Sequence, residues 1–194
     1  SSNGVTISNA AITVDNPISL QQTSIIDGFT SNIVTLTSAV DSFDNIIAIH
    51  DLNSDQVSIS NAALKVTDTV GINKVNNLRN ITTGNITVDI LKASKQNIDQ
   101  IEGYGAGDNI GDVILTNTKI TVTNVVSKAE ADEIIAYTNS QVTLEKVTDI
   151  SSLITEINNQ DNAIVTMQNA AITVTNEVGF EIVESINSMT EGRV

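Results

Sequence analysis

VTISNAAITV at residues 5–14 is written again as VSISNAALKV at 57–66, VILTNTKITV at 113–122 and VTMQNAAITV at 165–174. The starts lie 52, 56 and 52 residues apart, and self-similarity at a period near 50 predicts a stacked array in which each unit meets only its neighbours. Within each phrase the apolar residues alternate on a period of two, as Val5 and Ile7 and then Ile12 and Val14, with Asn-Ala-Ala between. That pattern predicts two short strands, or one strand broken at a corner.

Working outward, the last Val of each phrase precedes a second strand by 20 residues: Val14 to Val34, Val66 to Ile86, Val122 to Val142, Val174 to Val194. Between them the column Ser19, Gly71, Ser127, Gly179 supplies helix N-caps. An apolar stripe at a spacing of three follows: Thr23, Val75, Ala131, Val183; Ile26, Leu78, Ile134, Ile186; Phe29, Ile81, Tyr137, Met189. It predicts one buried face of a helix about ten residues long. Thr30, Thr82, Thr138 and Thr190 then stand where the helix turns back into a strand reading Val34-Thr35-Leu36, Ile86-Thr87-Val88 or Val142-Thr143-Leu144. A second helical stretch is anchored by Ile46 and Ile49, Ile98 and Ile101, Ile154 and Ile157, and a polar loop closes the unit.

The fold expected is an α/β repeat solenoid of short parallel strands and short helices, about 52 residues per repeat, with right-handed crossovers. One elongated domain spans 1–194, with repeats at 5–56, 57–112 and 113–164 and a partial repeat at 165–194. The second loop, 102–112, is four residues longer than the others, and loops are where such arrays place insertions. Because the sequence starts near a repeat boundary and stops partway through the fourth repeat, it is expected to be a segment of a longer protein.

Composition narrows the functions. Net charge is −14 with nine basic residues and no Lys/Arg cluster, which argues against nucleic acid and anionic membrane as partners. There is no cysteine, and no 18-residue apolar run that would span a membrane. Only 3% of residues are aromatic, too few for a stacking platform on sugars or bases.

The ITV columns, the Thr at each helix end, the VT-hydrophobic strands and the pairs Asp41-Ser42 and Thr148-Asp149 resemble the Thr/Val/Ala/Asp-rich tandem repeats of large secreted or surface proteins of Gram-negative bacteria, including cyanobacteria. The resemblance covers nearly the whole chain. It implies an extracellular or cell-surface location, a structural or adhesive role and no catalytic residue.

Three candidate sites stand out. Asn9, Asn61, Asn117 and Asn169 form one column at the corner, where stacked carboxamides would hydrogen-bond as a structural ladder. The stretch GAGDNIGD at 105–112 resembles the Gly/Asp turns that bind Ca²⁺ in parallel β-rolls, with Asp108 and Asp112 as candidate ligands and Asp51, Asp55 or Asp161 as further oxygen donors. Tyr104, flanked by glycine in the same insertion, is the candidate contact residue. An enzyme lacks a recognisable constellation: His50 is the only histidine, and Glu130/Glu133 and Glu181/Glu184 lie near helix starts, where acids complement the macrodipole.

The function expected is a non-catalytic spacer or scaffold segment of a large extracellular or surface protein, without a cofactor. The alternative is an adhesin-like or Ca²⁺-binding module whose specificity lies in loop 102–112. Expected partners are a protein or cell surface, or further copies meeting end to end.

Overall fold

The computed structural model describes residues 7–52, 56–103, 111–160 and 164–194, and its fold is α/β with parallel strands. The chain divides into two compact units, Ser1–Val88 with Tyr104–Val113, and Asp89–Gly103 with Ile114–Val194.

The first unit holds β1 (Ile12–Val14), α1 (Leu20–Asp27), β2 (Val34–Leu36), β3 (Ser38–Asp41), α2 (Phe43–Asp51), β4 (Val57–Ser58), β5 (Ala63–Val70), α3 (Ile72–Arg79) and the opening residues of β6 (Ile86–Ala93). β2 lies between β1 and β4, with Ile12 opposite Val34 and Val34 opposite Val57. β3 runs beside β5 with Ala39 opposite Leu64 and Asp41 opposite Val66. Ile12 beside Val34, Val34 beside Val57 and Ala39 beside Leu64 set aliphatic against aliphatic, and Val34, Leu36, Ala39, Leu64 and Val66 are buried. Cross-strand pairing of this kind fixes the register, since a one-residue slip would turn the whole set to solvent.

The second unit holds the rest of β6, α4 (Lys95–Glu102), the second residue of β7 (Val113–Ile114), β8 (Lys119–Val126), α5 (Lys128–Tyr137), β9 (Val142–Asp149), α6 (Ser151–Asn158), β10 (Val165–Thr166), β11 (Ala171–Val174) and α7 (Phe180–Asn187). β8 lies between β6 and β9, and β9 carries both β10 and β11 on its other side. The pairs repeat those of the first unit: Ile120 faces Val142 as Ile12 faces Val34, and Val142 faces Val165 as Val34 faces Val57.

Helix starts follow local chemistry. Ser19 and Ser127 each close a capping box, with Gln22 and Glu130 reaching back to the cap N–H at 2.9 and 2.8 Å. Ser42 and Ser94 cap α2 and α4, and Gly71 and Gly179 open α3 and α7 without a side-chain bond. The stripe Ile46 and Ile49, Ile98 and Ile101, Ile154 and Ile157 is fully buried. At about 1.5–3 kcal/mol for each such side chain, this burial and not helix propensity holds eight-residue helices in place.

Two expectations need correction. The second strand does not stop after three residues: β6 and β9 each run for eight, because Leu91 and Ala93 continue the buried alternation and pair with Ile120 and Val122. Phe29 is not part of a buried helical face. It follows the Gly28 cap of α1 and is 55% exposed, while Ile81, Tyr137 and Met189 in its column are half-buried. In the first copy a spacing of three runs past the end of α1 at Asp27, where the chain leaves the helical path.

Candidate functional site

The polar groups that the fold brings together do so at the same sequence positions in each copy. All six buried polar residues among those described are threonines. Four belong to the column after the first helix. Thr30, Thr82, Thr138 and Thr190 donate their hydroxyls to the carbonyls of Ala10, Ala62, Thr118 and Ala170 at 2.6, 2.6, 2.7 and 2.7 Å. Each hydroxyl oxygen also accepts the backbone N–H two residues later, from Asn32, Gly84, Ser140 and Gly192, at 2.9–3.0 Å. One buried side chain thus satisfies an acceptor at the corner and a donor at the entry to the next strand. The space there is tight: a Cβ on Gly84 would lie 2.3 Å from the Ala62 carbonyl oxygen.

The asparagine column lies on the two-residue turns of the corner, with all four residues exposed. The side-chain oxygens of Asn9 and Asn61 accept from hydroxyls, those of Ser31 at 3.0 Å and Thr83 at 2.6 Å, while the Asn9 carbonyl accepts from the Asn32 side-chain amide at 3.3 Å. In the third and fourth copies that hydroxyl position holds Asn139 and Glu191, whose backbone N–H groups still bond to Thr116 and Gln168.

A second recurring device acts at helix starts. The first N–H of α2, at Phe43, is capped by Asp68 Oδ1 at 2.7 Å; that of α4, at Lys95, by Asn124 Oδ1 at 2.7 Å; that of α6, at Ser151, by Asn176 Oδ1 at 2.8 Å. Likewise Asp41 and Asp149 cap Leu20 in α1 and Lys128 in α5, each at 3.0 Å. A carboxylate or carboxamide from the following strand therefore completes a helix begun in the preceding one, at the end where the macrodipole favours an oxygen acceptor. Sequence reasoning missed this role, although Asn16, Asp68, Asn124 and Asn176 form an Asp/Asn column legible in all four copies.

Charge is used the same way. Lys95 bonds Asp99 on its own helix at 2.6 Å and Glu133 on α5 at 2.5 Å, and the Tyr137 hydroxyl donates to the other Asp99 oxygen at 3.1 Å. The Asp99 bond, then the Glu133 bond, holds the Lys95 ammonium well above the ordinary lysine range. Burial, and next the Asp99 bond, raises the Tyr137 hydroxyl. One helix on, Lys128 reaches Asp132 at 2.5 Å and Glu156 at 4.0 Å. Desolvation pushes the Asp132 carboxyl up, but bonds from Lys128 and Gln160 overcome it and leave it below its ordinary value. At Asp41 desolvation is outweighed in the same way by bonds from Asn45 and from the N–H groups of Leu20 and Ser42. Each of these groups is bonded within a helix, from one helix to the next or, at Asp41, from a strand end to two helices.

Of the calcium candidates, Asp108 lies outside the described residues, as do Tyr104, Asp55 and Asp161. Asp112 is half-buried, and its carbonyl accepts Ile86 N–H at 2.7 Å, while Arg79 Nε donates to Gly111 O at 3.1 Å. Asp51 ends α2 and pairs with His50 at 3.1 Å on an exposed surface. Among the described residues no three His, Cys, Asp or Glu side chains converge on a point that could hold a metal ion, and no helix is long and apolar enough to cross a membrane. Burial raises the Glu102 carboxyl where α4 leads into the insertion. Glu130 serves the capping box and Glu133 the Lys95 pair, so the two acids have separate structural partners. No protein-family model, no curated protein and no solved structure matches the chain.

Proposed function

We propose that the chain is a stretch of a repeat solenoid that serves as a non-catalytic spacer or scaffold in a large extracellular or surface protein. The observation that carries this reading is the fourfold recurrence of the threonine bond: the same donor, the same acceptor position 20 residues earlier and the same backbone donor two residues later, in every copy. A binding or catalytic fold spends its buried polar groups on one irregular constellation. Here four of the six among the described residues are spent identically, on closing the same corner.

On this reading each copy contributes two strand layers, and at about 4.8 Å per layer a 52-residue copy adds roughly 10 Å of length. The inward aliphatic columns supply cohesion and the acidic surface keeps the array solvated. The test is small-angle scattering on chains carrying one, two and three additional copies of 57–112. A constant gain of about 10 Å in maximum dimension per copy is expected. Growth with the weak power of chain length that globules follow would overturn the proposal.

A further inference from the structure

We draw no further inference here: the strongest candidate, the exposed aliphatic surface at the start of α6, where Ile150 is 41% exposed at the N-cap position that Ser42 and Ser94 fill in α2 and α4, is an unpartnered apolar face, and nothing in the structure shows what covers it.

Discussion

Thr82→Val replaces the hydroxyl that bonds Ala62 O at 2.6 Å and Gly84 N at 2.9 Å with a methyl of nearly the same shape, at a residue that is 3% exposed. Two backbone groups lose their partner together. An unsatisfied buried group costs about 1–3 kcal/mol, so the two together cost about 2–6 kcal/mol; the added methyl returns about 0.8 kcal/mol, and the net loss expected is about 1–5 kcal/mol. Thr82→Ser keeps both bonds and loses only one methyl, about 1 kcal/mol. Urea unfolding followed by circular dichroism reads both. With a slope of about 2 kcal/mol/M, the valine variant should unfold about 0.6–2.6 M earlier at unchanged slope, centred on about 1.5 M, and the serine variant about 0.5 M earlier. Hydrogen exchange at the Gly84 amide should quicken in the valine variant alone. If the two variants unfold together, or if valine matches the native chain, the hydroxyl is not what closes the corner and the reasoning fails.

Further outcomes follow from the caps and charges. Asp68→Ala should cost about 1 kcal/mol by denaturant titration, whereas Asp68→Asn should cost markedly less, because Asn124 and Asn176 already fill that role and only the exposed pair with Lys74 is lost. The folded-state carboxyl of Asp41 is depressed, so its stabilisation is present above the unfolded value near pH 3.9 and lost as pH falls through the folded one; Asp41→Asn should flatten the acid limb of a stability–pH curve there. Lys95 behaves oppositely: its raised value means stabilisation that is full below about pH 10.4 and lost as pH climbs through the folded value. Lys95→Met should therefore blunt alkaline destabilisation, with an effect at neutral pH under about 1 kcal/mol that shrinks in high salt. A melting temperature that does not move between millimolar Ca²⁺ and EDTA is expected of a chain whose cohesion is aliphatic, and a rise with Ca²⁺ would restore the metal-binding alternative.

Legibility in the sequence followed the range of the interaction. Ser19 and Ser127 cap helices with residues three positions away, and a short-range signal of that kind survives in one dimension. The aliphatic columns Ile46 and Ile49, or Ile98 and Ile101, were legible because helical periodicity and burial coincide there. Strand length was not. β5 runs four residues beyond the shared phrase to Val70, and β8 likewise to Val126, because a neighbouring strand continues to offer bonds that no local propensity announces. The caps from Asp41, Asp68 and Asn124 act across 21, 25 and 29 residues, and on a single line an aspartate at a strand end looks like any turn residue. The corner asparagines share a column in the sequence, but the partner of Asn61 is a hydroxyl that lies 22 positions later, which the column does not announce.

Those long-range caps have a consequence for how the chain acquires its structure as it emerges from a ribosome or a secretion pore. A helix whose first amide waits for an oxygen 21–29 residues downstream stays provisional until that much more polypeptide has appeared. On the solenoid reading proposed above, maturation trails synthesis by those 21–29 residues, and every finished segment templates the one arriving. Contacts of such modest sequence separation favour rapid, stepwise growth over a single concerted collapse. A protein made this way can be lengthened by evolution without renegotiating how it folds.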